Sequence, residues 1–210
     1  MLAVSNTSPV FNLACIERLT LLHDQFDTIW IPMALEAELS NVPDAAVLKI
    51  IERAKQAGWL KTQPASNANL ISLLTVELHQ GEAESIALAL EMKADRLLID
   101  EKEGRALARQ VGLRMTGVLG VLLRAKKTGR IRAIKPELEA LRTKARFFVA
   151  SALETAVLAA GGRVESGRIR VRRVRFGSRR DSPGSSSVMI CHVGSRNGSK
   201  WQAVENAPEP

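Results

Sequence analysis

Leu2 to Ser5, Thr28 to Ile31, Arg96 to Ile99 and Leu113 to Thr116 are short apolar runs with the length of buried strands, and long helical patterns separate them. Strands so far apart in the chain cannot close as hairpins. Each reaches the next through a helix, which implies parallel pairing, right-handed crossovers and helices on both faces of the sheet. The expected fold is therefore α/β, a three-layer α/β/α sandwich around a central parallel sheet.

The intervening helices read from apolar spacing and from proline and glycine punctuation. Leu13, Ile16, Leu19 and Leu22 recur at helical spacing after Pro9. Pro32 opens a helix through Leu35 and Leu39, and Pro43 precedes another with Val47, Ile50, Ile51 and Ala54 that stops at Gly58. Ile71, Leu74 and Leu78 mark the next, Glu82 to Met92 follows Gly81, and Ala106, Leu107 and Val111 lead to Gly112. Gly117 to Lys127, Pro136 to Arg146 and Ser151 to Ala160 close the domain, the last ended by Gly161 and Gly162.

The 210 residues carry a net charge of +8, but unevenly: residues 1 to 162 hold +2 and residues 163 to 210 hold +6. The basic excess thus belongs to a tail with arginines at 163, 168, 170, 172, 173, 175, 179 and 180, followed by a Ser-, Gly- and Pro-containing stretch. That composition buries little core and reads as disorder, so the chain divides into a domain at 1–160 and a basic tail at 161–210. Arg168 to Phe176 alternates basic and apolar residues and is the one place there for a short edge hairpin. Cys15 and Cys191 make neither a disulfide framework nor a cysteine zinc site, and His23, His79 and His192 are too scattered for a ligand pair. No run approaches the roughly 20 apolar residues of a membrane helix, and Met1 to Pro9 lacks the form of a signal peptide, so the expectation is a cytoplasmic protein without a membrane partner.

In parallel sheets ligands gather beyond the carboxyl ends of the strands. The first strand ends in Ser5-Asn6-Thr7-Ser8-Pro9 and the third in Asp100-Glu101-Lys102-Glu103-Gly104-Arg105. The second leads into a helix bearing Glu36 and Glu38, and the helix after Gly81 bears Glu82 and Glu84. Singly, these acids have ordinary explanations: first-turn acids favoured by the helix dipole, an N-cap, a solvated face. Together, carboxylates from separate segments at one edge repel by roughly 1 kcal/mol per pair in water, more where water is excluded. A hard divalent cation relieves that repulsion and can brace an in-line attack on a phosphodiester. No Gly-x-Gly-x-x-Gly follows the first strand and no phosphate loop is present, which sets a generic nucleotide-binding domain aside.

Val4-Ser5-Asn6-Thr7-Ser8-Pro9, Ile31-Pro32 with Glu38-Leu39, Gly81-Glu82-Ala83-Glu84-Ser85-Ile86-Ala87-Leu88-Ala89, Leu97-Leu98-Ile99-Asp100 with Gly104-Arg105, and Thr116 to Leu122 occur in this order. Over about residues 2 to 160 the chain resembles a small prokaryotic PIN-domain protein. The resemblance implies a Mg²⁺- or Mn²⁺-dependent endoribonuclease of the kind found among VapC-type toxins, which a cognate antitoxin holds inactive. It places the catalytic and metal-ligating quartet on Asn6, Glu38, Glu82 and Asp100, with Glu103 near the metal, Thr7 orienting the first ligand, and Glu84 competing with Glu82. The first of these positions, an aspartate in the usual pattern, is Asn6 here; an amide oxygen can still coordinate a cation but contributes no charge and no base. The rival reading is accordingly a catalytically silent module that binds nucleic acid or protein. RNA would be held at phosphates by Arg105, Arg109, Lys126, Lys127 and Arg130. A homodimer is a further expectation, since the apolar helices at Leu13 to Leu22 and Val47 to Ile51 exceed what one sheet covers.

Overall fold

The computed structural model describes residues 1–162 and two short stretches, 188–190 and 202–204. Two compact units divide the chain, Met1–Val164 and Glu165–Pro210. In the second unit Val188–Ile190 and Gln202–Val204 pair antiparallel. The hairpin expected at Arg168 to Phe176 and most of the basic tail lie outside the described residues.

The first unit is an α/β fold with a five-stranded, all-parallel sheet. Its strands, in chain order, are β1 (Leu2–Ser5), β2 (Thr28–Pro32), β3 (Leu60–Gln63), β4 (Arg96–Leu98) and β5 (Met115–Thr116), arranged β3-β2-β1-β4-β5. The central strand β1 is set against β2 by Ala3 opposite Ile29, and against β4 by Val4 opposite Leu97. Alternation along the strands divides the core in two, as the two-residue period of a strand requires. Ala3, Ile29, Ile31 and Leu98 pack with α1 (Thr7–Cys15), α2 (Thr20–Phe26), α4 (Ala45–Gln56), α8 (Val118–Lys127) and α9 (Lys135–Lys144). Val4, Leu97 and Ile99 pack with α5 (Ala68–Leu74), α6 (Gln80–Glu91) and α7 (Lys102–Gln110) on the other face. The three layers expected from the sequence are therefore present.

Several expectations are corrected. β3 is an additional strand: in Leu60-Lys61-Thr62-Gln63 only Leu60 is buried, because the strand lies at the sheet edge, and a polar edge strand has no apolar run to reveal it. The spacing of Leu13, Ile16, Leu19 and Leu22 belongs to two helices rather than one. The break follows Cys15, where Glu17 takes a left-handed conformation (φ 59°) and the Arg18 N–H closes onto the Leu13 carbonyl, so all four side chains still face the same core. Leu78 lies beyond the end of α5, in the turn before α6. The last helix, α10 (Ser151–Gly162), runs through Gly161, where a Cβ would overlap Ile134 Cδ1, so the glycine allows close packing. Leu13, Leu22, Val47 and Ile51, on the helices whose apolar faces exceed one sheet, are buried inside this one chain.

The helix that follows β2, α3 (Met33–Ser40), begins directly at Pro32, whose missing N–H leaves no donor unsatisfied at a helix start. α3 docks on α6 where Leu35 lies over Gly81, and a Cβ at Gly81 would overlap Leu35 Cδ2. Because Leu35 fits closely over Gly81, Gly81→Ala should overpack the contact and cost about 1–3 kcal/mol. Urea denaturation monitored by circular dichroism measures the loss; an unchanged midpoint would mean that α3 and α6 do not meet there.

Candidate active site

Every strand of the sheet points the same way, so the segments that leave β1, β2, β4 and β5 emerge at one edge. Asn6 leaves β1 with its N–H bonded to the Leu98 carbonyl (2.9 Å), and Ile99 continues β4 with its N–H on the Thr116 carbonyl (2.9 Å). α6 runs back toward the start of β4, which brings its N-terminus and Glu82 to the same edge.

Asn6 caps α1, its Oδ1 accepting from the Thr7 N–H at 2.8 Å, while its Nδ2 donates to Glu101 Oε2 at 3.1 Å. The Thr7 hydroxyl donates to Glu38 Oε2 at 2.8 Å, holding that carboxylate next to the first strand exit. Ser8 donates its hydroxyl to Glu101 Oε1. Glu101 is thus the hub of this edge, and the sequence motifs alone do not single it out. Two signals bear on it: it follows Asp100 directly at a strand end, and Ser8 belongs to the motif after β1.

Glu82 is only 7% exposed, at the third position of α6, where its Oε2 accepts the His79 N–H at 3.1 Å. Burial raises its pKa, with repulsion from Glu101 and Glu103 adding to the shift and the His79 bond opposing it. Glu84 instead takes a hydrogen bond from Gln80 Nε2 at 2.6 Å on the exposed side of the helix, so Glu82, not Glu84, faces the edge. Glu36 is likewise engaged elsewhere, paired with Lys55 at 3.1 Å. Glu103 is exposed in the first turn of α7, near enough to Glu82 to repel it.

Asp100 caps a helix, though not the one that follows it in sequence. Its Oδ1 accepts the Val118 N–H at 3.0 Å at the start of α8, and a Cβ at Gly117 would overlap that oxygen. Its Oδ2 is buried without a hydrogen-bond partner among the described residues. Burial, then the Glu101 charge, pushes the Asp100 carboxyl up to about 7, against the opposing Val118 N–H and Arg105 charge.

The donor set is oxygen throughout and negatively charged, the chemistry a hard cation takes. None of Glu38, Glu82, Asp100 and Glu101 is ion-paired to lysine or arginine among the described residues. No three His, Cys, Asp or Glu side chains there are grouped so as to hold a metal ion. A Mg²⁺ ion that keeps several waters is held by as few as one or two carboxylates, so the unpartnered Asp100 Oδ2 and the unpaired carboxylates fit it in kind.

Of the basic residues expected to touch RNA, Arg105 donates to the Ile99 carbonyl at 2.9 Å, Lys126 to the Arg132 carbonyl at 2.6 Å, and Arg130 faces Asp24 at 3.7 Å. Arg109 and Lys127 are exposed.

A family model described as a PIN domain matches residues 2–163, and the chain belongs to that family. Among solved structures it is similar to a PilT N-terminus domain protein from the hyperthermophilic archaeon Sulfolobus solfataricus P2, at 19% identity and a TM-score of 0.38, over 60% of this chain and 93% of that one. Comparison with curated proteins finds no match.

Two consequences can be measured. The Asp100 carboxyl is raised from 3.8 to about 7, so the native state binds its proton more tightly than the unfolded chain does, and stability falls as pH rises across that window. In metal-free protein Asp100→Asn should therefore raise the thermal midpoint by several degrees at pH 8 and change it little at pH 4. Equal shifts at both pH values would show that Asp100 does not titrate in this way. In the second case, Asn6→Asp would set a carboxylate against Glu101 where an amide now donates to it. A destabilisation of about 1–3 kcal/mol is expected at pH 8, restored by adding Glu101→Gln, and a double-mutant cycle in urea tests the coupling.

Proposed function

We propose that this chain is a metal-dependent endoribonuclease of the PIN type. What carries the reading is a set of carboxylates without ion-paired cations at the exit edge of the sheet, with Glu82 and Asp100 held above the ordinary carboxyl range. Buried charge of one sign is destabilising unless a counter-charge joins it, and a polyanionic substrate cannot approach such an edge unaided.

Glu38 and Glu82 would hold a Mg²⁺ or Mn²⁺ ion, with Asp100 and Glu101 beside them. When bound, the ion supplies charge neutralisation at the phosphodiester and an acidified water. The remaining work falls to the protein. Thr7 orients Glu38, Asn6 and Ser8 fix Glu101, and Asn6 serves as a neutral member that lowers the repulsion an aspartate would add. A raised carboxyl such as that of Asp100 can take up or release a proton near neutral pH. RNA is the substrate class in this reading, and a cognate antitoxin the regulating partner, as for VapC-type toxins.

One observation favours a silent binding module instead. Both polar ends of the Asn6 amide are already satisfied, by Thr7 and Glu101. Incubating the full chain with mixed-sequence RNA separates the two readings. Cleavage should require Mg²⁺ or Mn²⁺, stop with a chelator, and fall at least about 100-fold in Glu38→Gln and Glu82→Gln. RNA bound but left intact by both the wild type and Asn6→Asp would establish the silent module.

A further inference from the structure

Apart from the carboxylates, a cavity of about 220 Å³ opens between the end of α2, the start of β4, β5 and the first turns of α8. Its lining holds two guanidinium groups, Arg96 and Arg124, with Gln25 and Thr116, and no acid. Neither guanidinium group has an ion pair or hydrogen bond among the described residues. Arg124 is steadied by the ring of Phe26, 5.9 Å from its guanidinium carbon. Gln25 donates one N–H to the Val121 carbonyl at 2.9 Å, which fixes its amide and leaves a second N–H to donate. Gly120 lies against the Thr116 hydroxyl, and a Cβ there would overlap Thr116 Oγ1, so the glycine preserves the space around that donor.

Two unpaired guanidinium groups, with an amide and a hydroxyl as further donors, around a half-open pocket that no carboxylate lines suit an anion. Guanidinium groups match the oxyanion geometry of phosphate and carboxylate, and two of them together favour a phosphate. The volume is below the roughly 300 Å³ at which pockets for whole small molecules begin and suits one phosphate group. Arg96 opens the strand β4 that ends beside Asp100, and four residues of strand span roughly 13 Å. An anion that occupies the pocket and also reaches the acidic edge must therefore be part of a longer chain.

We propose that this pocket is a phosphate subsite, taking one backbone phosphate of the RNA strand whose scissile bond lies at the acidic edge. The identity of the strand rests on the nuclease reading given above; the anion chemistry does not. The test uses the full chain with a chelator present, so that nothing is cut, and a labelled single-stranded RNA oligomer followed by fluorescence anisotropy at several salt concentrations. Arg96→Gln/Arg124→Gln should weaken binding about tenfold or more and lower the slope of log affinity against log salt by about 0.7 for each phosphate no longer neutralised. Gly120→Ala keeps both charges and should weaken binding by filling the space beside Thr116, and inorganic phosphate should compete with RNA on the wild type. If Arg96→Gln fails to fold, Arg124→Gln and Gly120→Ala carry the same comparison. Affinity within twofold of wild type with an unchanged salt slope overturns the proposal, even if inorganic phosphate alone shifts the pocket resonances. A chain that cleaves RNA but ignores these substitutions loses this inference only. A chain that responds to them without ever cleaving keeps it and loses the nuclease reading.

Discussion

A parallel sheet delivers all of its strand exits to one edge, and the rest of this protein follows from that constraint. β1, buried on both faces between β2 and β4, sets the register. Once Ala3 and Val4 are committed to opposite cores, Asn6, Asp100 and the start of α3 have no freedom to part company. Side chains brought together by topology need not be electrostatically compatible. Here they are not, because carboxylates from α3, α6 and the β4 exit lie along one edge, with Glu82 buried and Asp100 raised by desolvation.

The chain manages that conflict mainly with hydrogen-bond donors, with the Arg105 charge a smaller help at Asp100. Glu38 receives a hydroxyl from Thr7, Glu101 an amide from Asn6 and a hydroxyl from Ser8, Glu82 the backbone of His79, and Asp100 the first N–H of α8. Neutral donors orient a carboxylate without cancelling its charge, so the edge stays negative and its most buried members bind protons more tightly than free acids do. Lysine or arginine partners would have neutralised the acids, and the metal role proposed for them depends on their staying charged. Glu36, two residues from Glu38 on the same helix, shows the contrast: paired with Lys55, it is structural.

Much of the fold was legible because buried parallel strands carry their own signal, a short apolar run on both faces. β3 lacks it, since an edge strand of Leu60-Lys61-Thr62-Gln63 is held mainly by its ladder to β2, with Leu60 alone buried. The helical spacing through Leu22 concealed a break because a left-handed residue at Glu17 turns the chain while keeping the same side chains inward. Among the site residues, spacing alone could not rank Glu82 against Glu84 or Glu36 against Glu38, because the choice depends on which side of each helix meets the sheet edge. Glu101 was hidden for a related reason: next to Asp100 it resembles a helix cap, and its role lies in hydrogen bonds to residues more than 90 positions away.

The sequence by itself determined the layered parallel architecture, the location of the basic excess outside the domain, and the segments that would supply the acids, since strand length, helical period and charge are local properties of the chain. Only the tertiary structure decided which acids face one another, that Asp100 caps α8 rather than the helix after it, and that the helices around Leu13 and Val47 are covered from within. Those outcomes depend on distances between segments far apart in the chain, and such distances exist only once the sheet has closed.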